Sequence, residues 1–315
     1  MNKWARQLLP FASLVLIAII LSALEPEKFL TWSNLLNVLR RSSVNVIVAV
    51  GMTAIIISGG IDLSVGSMLA FAGMIGAWSM LRIDANAMTV QGAFAGTLAG
   101  IAAGTLGGLA NGICITKLKL PPFIVTLGTM SAFRGISYVM NDGQPYNVQD
   151  YTWLGSSDVL GIPVSVLISA LIIIVAVILL RYTPLGHYTY AIGSNREAAF
   201  HAGVNVDRNL IAIYTLGGLL VGIAAMIATS RTVSAQPTAG ITLELDIIAA
   251  VVIGGASLSG GRGTIMGTII GTLLISFLRN GCTLLGISTN VQLIVIGAII
   301  IAAVAVDQVA RARAE

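Results

Sequence analysis

The sequence predicts an all-α, polytopic integral membrane protein with about ten (8–10) transmembrane helices, some of them short or broken, and three observations carry that prediction. First, 56% of its 315 residues are hydrophobic and only 10% are charged, against about 25% charged in a soluble domain. Second, with a mean hydropathy of +0.93, the apolar runs continue from end to end without a charged or Pro/Ser-rich linker, so one membrane domain spans 1–315. Third, glycines recur at helical spacing inside those runs. Membrane helices gain little by burying apolar area against one another and associate where small residues let backbones approach closely.

A span needs about 20 apolar residues. In order, the candidates are 8–24, 42–58, 64–81, 91–116, 121–140, 162–181, 208–229, 245–256, 263–279 and 290–306. The first follows Lys3 and Arg6 as a signal peptide would, but it is long enough to span and many more spans follow, so it is kept as a helix. The segments 42–58 and 245–256 are short or end in paired glycines.

Placing the N-terminus in the cytoplasm puts Lys117, Lys119, Arg181, Arg196, Arg208, Arg262 and the tail with Arg311 and Arg313 inside, as the positive-inside rule asks. The acidic stretch 141–158 then lies outside, and an even number of spans leaves both termini in the cytoplasm. Arg231 falls on the wrong side, and Arg40 and Arg41 sit near an outer end.

Gly92, Gly96, Gly100, Gly104, Gly108 and Gly112 recur every fourth residue, as do Gly263, Gly267 and Gly271. They read as packing ridges. A pore lining is the alternative, with Asn111 at the end of the ladder.

The net charge of +4 is no nucleic-acid signal, because the basic residues are scattered singly at the ends of apolar runs. Cys114 and Cys282 both lie in apolar segments and give neither a disulfide framework nor a CxxC spacing. A phosphate loop needs GxxxxGK[ST]. The nearest approach is GGASLSGGRGT, where Gly261 and Arg262 stand where Lys and Ser/Thr are required. The two histidines, His187 and His201, share one loop, and no paired acids or nucleophile–base set is evident. Catalysis is not expected, and no cofactor or metal is implied.

The stretch SGGIDLSVGS (58–67) places a carboxylate between two apolar runs. Asp62 could form an intramembrane ion site, which would suit an ion-gradient-driven secondary transporter, with Asp246 and Arg134 as the other candidates for a relay. Alternatively the Gly-Gly pair ends one helix, and Asp62 or Ser64 caps the next near Val65. GGIDLSVG (59–66) shares GGxxLSxG with GGASLSGG (254–261). An internal duplication around 42–80 and 245–280 is one reading, and a chance match of glycine-rich sequence is the other. Paired broken segments are a pointer to a transport pathway. Ser58, Asp62, Ser64, Asn111 and Thr126 are its polar candidates.

In the loop 182–208, Pro184 and Gly186 break the preceding helix and Gly193 with Ser194 makes a turn. Asn195 caps a short helix running through Arg196, Glu197 and Ala198 to His201, and Gly203 ends it. Such a helix suits a groove on a soluble partner, and an ordinary solvated loop is the plain alternative.

Three stretches, GMTAIIISGGIDLSVGSMLAFAGMIGA, TPLGHYTYAIGSNREAAFHAGVNV and SAQPTAGITLELDIIAAVVIGGASLSGGRGTIMGTIIGTLL, together resemble the permease subunit of ribose-type (monosaccharide) ABC importers. The resemblance covers nearly the whole chain. It implies a sugar pathway in the bacterial inner membrane, formed by two permeases, identical or related. It also implies a cytoplasmic ATPase on a separate chain and an extracytoplasmic sugar-binding protein. By the same resemblance NREAAFHAG is the coupling helix that meets the ATPase, and 182–208 the coupling loop. Gln144 and Pro145, with Gln236 and Pro237, are expected in outer loops that touch the binding protein.

Overall fold

In the computed structural model the described residues are 3–84 and 89–312. They form α1 (Lys3–Leu24), α2 (Trp32–Ile57), α3 (Val65–Ile83), α4 (Val90–Lys117) and α5 (Pro122–Val139). Three two-residue strands follow, β1 (Tyr146–Asn147), β2 (Asp158–Val159) and β3 (Ile162–Pro163), and then α6 (Val164–Tyr182), α7 (Pro184–Ser194), α8 (Arg196–His201) and α9 (Val206–Thr232). The chain ends with β4 (Ser234–Ala235), α10 (Leu243–Ile253), α11 (Ile265–Leu284) and α12 (Thr289–Ala312). Among the described residues, α2, α3, α4, α6, α9 and α11 are each long and apolar enough to cross a membrane.

Local chemistry sets most helix starts. Side-chain oxygens of Thr31, Thr89 and Thr264 accept from amides three residues on, at Asn34, Gly92 and Gly267. These oxygens satisfy amides that the helix itself leaves free. Prolines 122 and 184 occupy the first turn of α5 and α7, where the missing N–H costs nothing.

Two expectations need correction here. The segment expected to be short at 42–58 belongs to a 26-residue helix. Arg40, Arg41, Ser42 and Ser43 interrupt the hydropathy, yet Arg40 is paired with Asp158 at 2.6 Å and Ser42 and Ser43 donate to backbone carbonyls. Pro184 and Gly186 do not merely break α6. They open a second helix, α7, in which Gly193 and Ser194 are helical residues rather than a turn.

The core lies where α2, α3 and α9 meet, around Ile47, Met52, Met68, Ile213 and Met226. The glycine ladder of α4 packs on α9, and α9 answers with glycines of its own. A Cβ on Gly104 would come within 2.6 Å of the Gly218 carbonyl oxygen and 2.7 Å of Gly222 Cα, and one on Gly218 would meet the backbone of Gly104 and Gly108. Gly267 and Gly271 press in the same way on the backbone of Gly254 and Ala250, joining α11 to α10. Polar pairs add to the glycine contacts. Thr53 and Thr268 share a hydrogen bond of 2.7 Å, and the side chains of Asn34 and Asn280 exchange two, both linking α2 to α11.

The 141–158 loop and the segment after α9, far apart in sequence, are joined by the antiparallel pair β1–β4, with Tyr146 opposite Ala235. The amides of Leu154 and Gly155 donate to Ser230 on α9, and Tyr151 bonds Thr97 on α4 at 2.8 Å. These contacts fix the loop to the helix ends beneath it.

Candidate functional site

The two Gly-Gly breaks converge at one end of the bundle, and the arrangement starts from how their helices end. In the last turn of α2, Ser58, Gly59 and Gly60 donate to the carbonyls of Ala54, Ile56 and Ile55. At the end of α10, Gly254, Gly255 and Ala256 do the same to Ala250, Val252 and Val251. Both are Schellman terminations, which require a left-handed residue, supplied by Gly59 at φ +83° and Gly255 at φ +91°. The structural equivalence is therefore one residue out of step with the GGxxLSxG match, which aligns Gly59 with Gly254.

After the first break the chain folds into a buried polar knot. Asp62, 2% exposed, accepts from the Ser64 amide at 2.8 Å and the Ser64 hydroxyl at 2.6 Å. Asn111 on α4 donates to Ser64 Oγ at 2.9 Å and, at 3.4 Å, to the second carboxylate oxygen. Ser64 makes no capping bond, its backbone being helical (φ −80°, ψ −10°) and its oxygen accepting from Asn111 instead. Thr126 on α5 donates to the carbonyls of Pro122 and Ile61, at 3.0 and 3.2 Å. Thus four of the five expected pathway residues, Asp62, Ser64, Asn111 and Thr126, tie one loop to α4 and α5. Asp62 lies between two spans, and burial pushes its carboxyl above the ordinary range, opposed by the bonds from Ser64 and Asn111.

The fifth, Ser58, lines a cavity of about 290 Å³ with Gly60, Tyr214 and Ser259 on one side and Asn195 and Arg196 on the other. The Tyr214 hydroxyl is buried without a hydrogen-bond partner and sits against Gly60. Asp246 and Arg134, the other relay candidates, have different partners. Asp246 binds Arg279 of α11 through both carboxylate oxygens at 2.7 and 2.8 Å, and Arg134 donates to the carbonyls of Pro237 and Ala239.

The second break is held to α2 and α7. The Gly261 amide donates to the Ile57 carbonyl at 2.8 Å, and the Tyr190 hydroxyl of α7 donates to the Gly263 carbonyl at 2.8 Å. Gly193 of α7 is wedged between them. A Cβ there would overlap the Ile57 carbonyl oxygen and lie 2.6 Å from the Gly261 nitrogen, and one on Gly260 would lie 2.7 Å from the Gly193 carbonyl and 3.0 Å from Gly59 Cα.

Beyond Gly193 the chain enters α8. Asn195 accepts from the Ala198 amide at 2.9 Å, and Gly203, at φ +85°, closes the helix with its amide on Phe200. Arg196, Glu197, Ala198, Phe200 and His201 are exposed. Beneath them Ile192, Ala199, Val206 and Leu210 pack α7, α8 and the start of α9 into one unit.

At the opposite end, Gln144, Pro145 and Gln236 are exposed around β1–β4. Pro237, expected at that surface, is buried instead, since Arg134 holds its carbonyl inward at 2.6 Å.

Sequence reasoning missed Gly193, Tyr190, Tyr214 and Arg279. Gly193 does carry a local signal, a glycine before a capped helix, but that pattern predicts a turn rather than a helical wedge. The others meet residues distant in sequence and leave no local pattern.

A glycine-packed membrane bundle with two broken helices meeting over an exposed capped helix defines a membrane transport component. The chain belongs to the family described as the branched-chain amino acid transport system / permease component, whose pattern matches residues 34–304. It is 46% identical over 304 residues to the ribose import permease protein RbsC of Bacillus subtilis (strain 168), covering 95% of this chain and 92% of that one. It is 44% identical over 302 residues to the RbsC of Escherichia coli (strain K12), covering 94% and 91%. To the D-allose transport system permease protein AlsC of Escherichia coli (strain K12) it is 37% identical over 302 residues, covering 95% and 90%. The chain is thus a multi-pass permease and not an enzyme.

Proposed function

We propose that this chain is the membrane-spanning permease of an ATP-binding-cassette importer for a monosaccharide, ribose-like in size. Its likeness to the ribose and allose permeases supports the substrate class. In this reading ten helices, α1–α6 and α9–α12, cross the inner membrane, both termini face the cytoplasm, and a second permease, identical or related, completes the pathway. A separate cytoplasmic ATPase meets α8 through Asn195, Arg196, Glu197, Ala198, His201 and Gly203. An extracytoplasmic sugar-binding protein docks at Gln144, Pro145 and Gln236.

One observation carries the mechanism. The exposed α8 is rigidly joined to α7, and Gly193 of α7 touches the backbone of both breaks. When the ATPase draws its halves together, a push on α8 has a solid route to Ile57 and Gly261. The cavity at Ser58 and Tyr214 is bounded by those same segments, so their displacement opens or closes it. The Asp62 knot holds the first break to α4 and α5 as a fixed post against which the second moves, rather than offering a sugar-binding surface. Asp62, Ser64, Asn111 and Thr126 spend their polar groups within the knot, and only Ser58 of the five lines the cavity, which fits a weak conduit whose selectivity resides in the binding protein.

A pull-down from native membrane tests the assignment. An ATPase chain and a sugar-binding protein should co-purify, and scrambling 195–203 should release the ATPase alone. Retention of the ATPase by the scrambled chain would overturn the docking role.

A further inference from the structure

The hairpin β2–β3 presents an apolar tip with nothing on it. Asp158 pairs with Pro163 and Val159 with Ile162, so the turn is the two residues Leu160 and Gly161, both at positive φ, +52° and +78°. That is the pattern of a type I′ turn, whose first position ordinarily takes Asn, Asp or Gly. A leucine there meets the steric cost of the left-handed region, about 1–2 kcal/mol. It is also 99% exposed, with Val159 at 50% and Ile162 at 42%. Neither conformation nor burial within the chain accounts for a leucine at this position.

Two independent features say what covers it. The hairpin runs directly into α6, the most apolar and least buried of the six long apolar helices among the described residues, and the exposed Leu167, Leu171, Ile174 and Ile178 continue its tip as one stripe down that helix. The same end of the bundle carries exposed tryptophans: Trp32 at the start of α2, Trp78 near the end of α3 and Trp153 just before the hairpin. Tryptophans gather at the membrane–water boundary. The Arg40–Asp158 ion pair fixes the hairpin to the first turns of α2, at that same level.

We propose that the Val159–Ile162 tip inserts into the headgroup–acyl boundary of the leaflet at this end of the bundle, as an interfacial anchor for α6. The partner is a phospholipid surface. The inference needs only that the chain resides in a membrane and is independent of what it transports.

The test uses the full chain with Cys114→Ala and Cys282→Ala, labelled with an environment-sensitive fluorophore at Leu160→Cys. The protein sits in nanodiscs of phosphatidylethanolamine and phosphatidylglycerol containing acyl-brominated phosphatidylcholine. Bromolipid should quench the label about twofold while aqueous iodide barely does, and a control label at the exposed Asp150 should show the reverse. A second variant separates anchoring from folding. Leu160→Asn suits the turn better and should keep or raise stability in detergent, yet a Val159→Cys label in that background should lose its lipid quenching. Iodide quenching of the Leu160 label in nanodiscs would overturn the proposal. So would protection from both quenchers, which would assign the tip to a protein partner.

Discussion

The two breaks end their helices by the same hydrogen bonds and then part ways. The first turns a carboxylate inward and is tied by side chains, Asp62 to Ser64 and Asn111 and Thr126 to the Ile61 carbonyl. The second places Ala256 and Ser257 after its glycines and is tied to α2 and α7, by the Gly261 amide on the Ile57 carbonyl and the Tyr190 hydroxyl on the Gly263 carbonyl. The bonds of the first break run to α4 and α5, whereas those of the second run to α2 and to α7, the helix packed with α8. The first break is accordingly the fixed member and the second the one that α7 can carry.

The sharpest way to break the comparison is at the wedge between them. Gly193→Val drives a Cβ into the Ile57 carbonyl and should cut ATP-driven uptake in proteoliposomes by about tenfold or more while the chain still inserts. Separating α10 from α11 comes next. Asp246→Ala strands Arg279 in a mostly buried site and should cost about 3 kcal/mol in thermal unfolding of the solubilised complex, and Asp246→Leu with Arg279→Met should recover most of it.

The knot itself ranks third. Asp62→Ala leaves the Ser64 amide and hydroxyl without their acceptor and should cost about 2 kcal/mol by the same measurement, whereas Ser259→Ala in the second break should stay within about 0.5 kcal/mol. The smallest effect is expected at the lever's cap. Asn195→Ala should weaken α8 by about 1 kcal/mol, seen as faster amide exchange over 196–201 with membrane insertion unchanged.

What could be read from the sequence follows the reach of each interaction. Helix α8 was legible to the residue, because a cap three residues from its acceptor and a left-handed glycine are local signals. The α4 ladder was legible as a ridge for the same reason, although its partner glycines on α9 lie more than a hundred residues away and were not. Helix α2 was cut short because Arg40 looks unburiable until Asp158 arrives from a distant loop. Asp246 was noticed as an odd acid, but its arginine, 33 residues on, was not, since nothing local joins them. The knot was half legible: the Asx turn at Asp62 is local, and the Asn111 contact comes only with the packing of α3 on α4.

The most direct test of the whole account is solute movement in proteoliposomes holding this chain alone, compared with vesicles that also contain its ATPase and binding-protein partners. Uphill sugar uptake is predicted only in the complete, ATP-supplied assembly, unaffected by collapse of ion gradients. Accumulation against a gradient by the chain alone, powered by protons or sodium, would contradict it.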